Sequence, residues 1–188
     1  MVTTMKSFSW WKRTVAALTV ASSVAIVMWA VPARPHAQAQ APAADPEDIA
    51  EGMTIYRTKA DCQTCHGWAA DGRKMDTQMP DAPSLRTTRL GRAGIIFAIR
   101  CGRPGRGMPA FDRMAYKDAT RCNNTTLADL QKNNLSLNDP ASSLQPREIE
   151  MVADFLFAKV IGKGPLDHAK CVEYWGAEQD VCNSEFPK

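Results

Sequence analysis

The sequence predicts a helical domain, and three observations predict it. Asp45-Pro46-Glu47-Asp48 has the composition of a helix start. Leu90, Ile95, Ile96, Phe97 and Ile99 give a second segment an apolar body. Ile149, Val152, Ala153, Leu156 and Val160 recur at helical spacing. The chain has 188 residues, 45% hydrophobic and 23% charged, which suits one compact domain rather than a disordered chain.

The first 39 residues read as an export signal. Lys6, Lys12 and Arg13 form its positive end, Thr14 to Val31 is uncharged and largely apolar, and Ala37-Gln38-Ala39 is an A-x-A site with the cut expected before Gln40. The alternative is an uncleaved anchor, since the apolar run is just long enough to span a bilayer. Membrane contact is expected only in that case. Residues 40–45 are an Ala/Pro-rich flexible leader. Export places the mature chain outside the cytoplasm, in a periplasm.

A helix is expected from Pro46 to about Lys59. Asp45 caps it, Pro46 takes its first position, and Glu47 and Asp48 complement its dipole. Ile49, Met53 and Tyr56 lie on one side with Gly52 beside them. Glycine costs helix stability, so a close helix crossing is the motive expected for Gly52, with a plain surface glycine as the alternative.

The helix hands over to Cys62-Gln63-Thr64-Cys65-His66. Two cysteines with two residues between them, followed by histidine, are the attachment pattern of a c-type haem. About one helical turn separates the thiols, so each can reach one vinyl group on the same haem face, and His66 comes up beneath the iron. A zinc site wants four ligands, usually from a second close pair, and no second C-x-x-C exists. A thioredoxin-like pair needs a βαβ context, which is missing. One haem c is therefore expected. Its sixth ligand must come from elsewhere in the chain.

Trp68 to Ala82, rich in Asp, Gly and Pro, reads as a loop. The carbonyl of Pro83 can accept the Nδ1 proton of His66 and fix its tautomer; an ordinary turn is the alternative. Thr88 is expected to cap a helix reaching about Arg100. Cys101 to Phe111, dense in Gly and Pro, carries Met108 in its middle, 42 residues after His66. A short helix is expected at Thr126–Lys132. A longer one starts at Pro146, with Leu144 and Ile149 available as a staple, and ends at Gly162. Residues 46–162 thus form the domain, and 163–188 form a C-terminal extension.

Four further cysteines, Cys101, Cys122, Cys171 and Cys182, would be oxidised outside the cytoplasm. Three pairings are possible. The local one, Cys101 with Cys122 and Cys171 with Cys182, is preferred; reduced buried thiols are the alternative.

The formal charge of +3 misleads. Without residues 1–39 the chain carries 19 basic and 20 acidic groups. Residues 86–121 are +7 and the rest of the mature chain is −8. Such a dipole can steer one face towards an acidic partner, unless the arginines merely face solvent or neutralise haem propionates. A near-neutral exported protein is not a nucleic-acid binder.

In its attachment motif, its Pro83–Leu85 stretch, Met108-Pro109-Ala110-Phe111 and the flanking helices, the chain resembles the class I c-type cytochromes over about Asp45–Gly162. The resemblance implies an all-α fold, its N- and C-terminal helices crossing beside one covalently attached haem. It implies His66 below the iron and Met108 above it, and Gly52 facing Phe155 or its neighbours. Met79, which lies on chain still leaving the proximal side, Met114, which lacks a glycine-rich approach, and His168 are the weaker ligand candidates, and His36 would leave with the signal. The implied function is single-electron transfer, with a periplasmic dehydrogenase such as a quinoprotein as donor and an oxidase as acceptor. The alternatives are the haem subunit of a periplasmic redox enzyme complex, or a ligand-binding sensor with a displaceable Met108. A catalyst would need an open iron position and a nearby acid–base group, and no histidine is placed to serve. The extension and the extra cysteines depart from the minimal pattern.

Overall fold

The computed structural model describes residues 44–176 and 180–185. The expected export signal and most of the expected leader lie outside the described residues. Within these residues all regular elements are helical: α1 Pro46–Thr54, α2 Gln63–His66, α3 Arg92–Cys101, α4 Leu127–Lys132, α5 Pro146–Phe155, α6 His168–Trp175 and α7 Asp180–Glu185. No described helix is long and apolar enough to cross a membrane.

The element starts follow local chemistry. Asp45 is extended and its side chain accepts from Glu47 N at 2.9 Å, with Pro46 in the first turn of α1. In α4, Thr126 and Asp129 satisfy each other's backbone N–H groups as a capping box. Gln145 N donates to Glu148 Oε2 at 2.8 Å at the start of α5. Both α1 and α5 end in a wider π turn, Ile55–Lys59 and Leu156–Val160. One expectation is corrected. Thr88 does not cap α3: its Oγ1 accepts from Leu90 N in a turn, and α3 begins only after extended Gly91.

The core lies where α1 and α5 cross. A Cβ built on Gly52 would sit 2.0 Å from the carbonyl oxygen of Met151 and 3.0 Å from Phe155 Cβ. No side chain fits there, which accounts for the glycine inside a helix. Tyr56 and Phe155 stack at 5.6 Å beside the crossing. Ile55, Ile149, Val152, Ala153 and Leu156 are almost fully buried around them. Leu144 shares this core with Ile149. On the outside, both carboxylate oxygens of Asp48 accept from Arg147 at 2.8 Å, and Lys59 pairs with Glu148.

A second, smaller core holds Cys101, Ala110, Ala115, Tyr116, Cys122 and Leu130. It is stapled by the Cys101–Cys122 disulfide. The stretch beyond Gly162, expected only as an extension, folds into α6 and α7. Asp167 caps α6 by accepting from Lys170 N at 2.9 Å, and Cys171–Cys182 links the two helices.

Candidate haem site

The attachment motif lies on α2, a single helical turn. His66 N donates to Cys62 O at 2.9 Å and Gly67 N to Gln63 O at 2.8 Å. Among the described cysteines, Cys62 and Cys65 alone are free thiols, while the other four are paired. Cys62 is half-buried as a residue, with its sulfur packed against the core. Burial, reinforced by Asp61, pushes its thiol up to about 12. Burial and Asp61 also raise the Cys65 thiol.

His66 is 8% exposed. Its Nδ1 lies 3.0 Å from the carbonyl oxygen of Pro83, an arrangement that puts the proton on Nδ1 and leaves Nε2 as a free lone pair. Burial lowers the imidazole pKa, and the Pro83 contact opposes that only partly. The ring is therefore a neutral donor, as a metal ligand must be. The chain reaches Pro83 through a loop held by Tyr56, whose buried hydroxyl donates to Gly67 O at 2.8 Å. Leu85 N donates to Ala70 O at 2.8 Å.

Met108 sits on a strap, Gly102 to Pro109, that is pinned at both sides. Arg103 N donates to Met108 O at 2.9 Å, Gly105 N to Ser136 O at 2.7 Å and Phe111 N to Ile99 O at 3.1 Å. Asn138 Nδ2 donates to Gly107 O at 3.1 Å. The strap starts at Gly102, at φ +63°, where a Cβ would lie 2.5 Å from the backbone of Pro109. Tyr116 Oη donates to Cys101 O at 2.8 Å and ties the strap to the second core.

The other candidate ligands stand elsewhere. Met108 is half-buried and packs on the main core. Met79 and Met114 are 37% and 39% exposed, and His168 Nε2 faces Asn183 Oδ1 at 3.1 Å in the extension. His36 lies outside the described residues. The donor set fits a haem c: two free thiols a helical turn apart, a neutral imidazole with its tautomer fixed, and a thioether on a strap backed by the same core.

The sequence pattern did not show the roles of Tyr56, Trp68 and Tyr174, which pack around the attachment turn from outside, or of Gln63 within it. Tyr56 was legible only as an apolar helix position. The hydroxyl contacts of Tyr56 and Tyr174 join segments 11 and 111 residues apart, which no periodicity reports.

Residues 47–123 match the family model described as cytochrome C oxidase, cbb3-type, subunit III. No curated protein and no solved structure matches the chain. The helical fold, the donor set and the family match converge on a c-type cytochrome domain over residues 47–123: an all-α, haem-binding electron-transfer module that is not a catalyst on its own.

Proposed function

We propose that this chain is a periplasmic mono-haem carrier of single electrons, with the haem attached covalently through Cys62 and Cys65 and ligated by His66 and Met108. When bound, the haem supplies a one-electron ferrous/ferric couple. The observation that carries the reading is the setting of Met108 among the sulfur donors: it packs on the main core from a strap pinned by backbone hydrogen bonds, while Met79 and Met114 are the more exposed, at 37% and 39%. Pro83 orients His66, the strap holds Met108, and the two together leave no ligand position for a substrate. The soft thioether favours the ferrous state and raises the potential.

The surface around the strap supports encounter with an acidic protein. Arg92 and Arg121 are spent on Asp154 and Asp112, and Arg86 donates to the carbonyls of Ala69 and Gly164. Arg89, Arg103, Arg106, Arg113 and Lys117 are exposed and make no ion pair among the described residues. We assign them the role of steering a redox partner: a periplasmic dehydrogenase, such as a quinoprotein, on one side and an oxidase on the other.

Spectra of the purified protein, oxidised and reduced, with and without carbon monoxide, test the proposal. A Met–iron charge-transfer band in the ferric form and no carbon monoxide binding are expected. Ready carbon monoxide binding would point instead to a ligand-binding sensor. The oxidase subunit named by the family match favours a second reading, a fixed subunit of a terminal oxidase complex. Stable co-purification with an oxidase, rather than recovery as a free protein, would select it.

A further inference from the structure

Electron transfer through His66 and Met108 makes no use of the chain beyond Gly162, and that chain lies outside the family match. Yet its most specific contacts are with the haem-attachment turn. Tyr174, 7% exposed, donates from Oη to Gln63 Oε1 at 3.0 Å. Gln63 stands between the two attachment cysteines. Gln63 Nε2 donates to Arg57 O at 2.9 Å, and Arg57 Nη1 donates to Tyr174 O at 2.8 Å. The three residues form a closed circuit.

Aromatic packing reinforces it. The Arg57 guanidinium lies 4.8 Å above the Tyr174 ring and 5.2 Å above Trp175. Trp68, two residues past His66, stacks on Tyr174 at 5.6 Å and on Trp175 at 6.2 Å. On the other flank, Gly162 N donates to Arg86 O at 3.0 Å and Arg86 Nη2 donates to Gly164 O. Arg86 follows Pro83, the acceptor for His66, by three residues. The extension therefore grips the proximal segment before, just after and beyond the histidine. Its own helices are fastened by a fully buried disulfide, Cys171–Cys182.

We propose that Tyr174 is a positioning residue for the axial histidine: through Gln63 it clamps α2 from outside, keeps water from the proximal side and so holds the reduction potential up. The proposal rests on His66 being the iron ligand. The physical link is short. Gln63 opens the single helical turn that His66 closes, and the Gln63 carbonyl accepts from Gly67 N. A side chain fixed at one end of a one-turn helix fixes the other end. Loosening it admits water, and a more polar surrounding favours the more highly charged ferric state.

The test uses the holoprotein and the variants Tyr174→Phe, Gln63→Met, their double mutant, and Cys171→Ser/Cys182→Ser. Two quantities are read: amide hydrogen exchange at residues 63–67 and the midpoint potential. Loss of one hydrogen bond should speed exchange there by about fivefold, with a downward shift in potential. Gln63→Met also loses the bond to Arg57 O, so its effect should be at least as large as that of Tyr174→Phe, and the double mutant should add nothing to Gln63→Met, because the Tyr174 hydroxyl then has no Gln63 oxygen to lose. The disulfide variant should move both readouts in the same direction. A fall in global denaturant stability with exchange at 63–67 and potential unchanged overturns the proposal, as do additive effects of the two single variants. If the wild-type chain carries no covalent haem, the function proposed above fails, while exchange at 63–67 still reports whether Tyr174 clamps the turn.

Discussion

Gly52→Ala tests the helix crossing by the sign of its effect. In an open helix, alanine in place of glycine stabilises by roughly 0.5–1 kcal/mol. At Gly52 the new methyl would lie 2.0 Å from the Met151 carbonyl oxygen and 2.5 Å from its carbon. These are backbone atoms of α5 and cannot rotate away. Restoring a contact above 3 Å means separating the helices by about 1 Å along a core that includes Ile149, Val152 and Phe155, and overpacking of that kind costs about 1–3 kcal/mol. Set against the propensity gain, the net loss should be about 1 kcal/mol. Gly94→Ala is the control. It also lies in a helix, but its Cβ would meet only the Leu90 side chain, at 3.4 Å, so stabilisation by roughly 0.5–1 kcal/mol is expected. Guanidinium melts of the two variants and the wild type provide the comparison. A Gly52→Ala protein as stable as the wild type, or more so, would refute the crossing geometry.

Met108→Ala should still give a covalently haem-loaded protein, with a lower midpoint potential and no Met–iron charge-transfer band. Met79→Ala should leave both unchanged, and the reverse pattern would move the ligand to Met79. Electron exchange with the natural partner, followed by stopped flow, should slow as ionic strength rises from 0.01 to 0.1 M, where the screening length falls from about 30 to about 10 Å. Flat rates would remove the steering role of the unpaired arginines. Hydrogen bonds from the Thr126 side chain and backbone hold the Asp129 carboxyl below its ordinary pKa. A depressed acid adds stability that is present above its unfolded pKa and lost as pH falls through the folded one. NMR should therefore show Asp129 titrating below an ordinary aspartate, and Thr126→Ala, which removes the hydroxyl but keeps the backbone N–H, should bring it part of the way back up.

What the sequence revealed and what it hid divide along physical lines. Asp45-Pro46 and Pro146 mark helix starts because caps and first-turn prolines are local chemistry. Gly52 and Pro83 were legible because each stands out against its surroundings, a glycine inside a helix and a free carbonyl within reach of a histidine. The start of α3 was misplaced because Thr88 and Gly91 both suit a cap, and the backbone uses the glycine. The second core was hidden. It rests on left-handed backbone at Tyr116, Asn123, Asn124 and Asn134 and on the Asp112–Arg121 ion pair, none of which repeats at a helical period. In the extension, Asp167 is a cap visible in the sequence. The reason for α6, an aromatic face laid on Arg57, Gln63 and Trp68, exists only once distant segments meet.

The crossing of α1 and α5 also governs how the chain closes on itself. Asp48 and Arg147 meet across 99 residues of sequence, and joining the ends of so long a loop costs about 4 kcal/mol in chain entropy beyond a constant. The Cys101–Cys122 bridge, with a separation of 21 residues, lies wholly inside that loop. Short-circuiting it leaves roughly 80 residues and lowers the closure cost by only ~0.2 kcal/mol. Cys171–Cys182 lies outside the loop altogether. Neither disulfide helps the two helices find each other, so oxidation state governs the order of the strap and the extension, while the meeting of α1 with α5 proceeds at nearly the same entropic cost in reduced and oxidised chains.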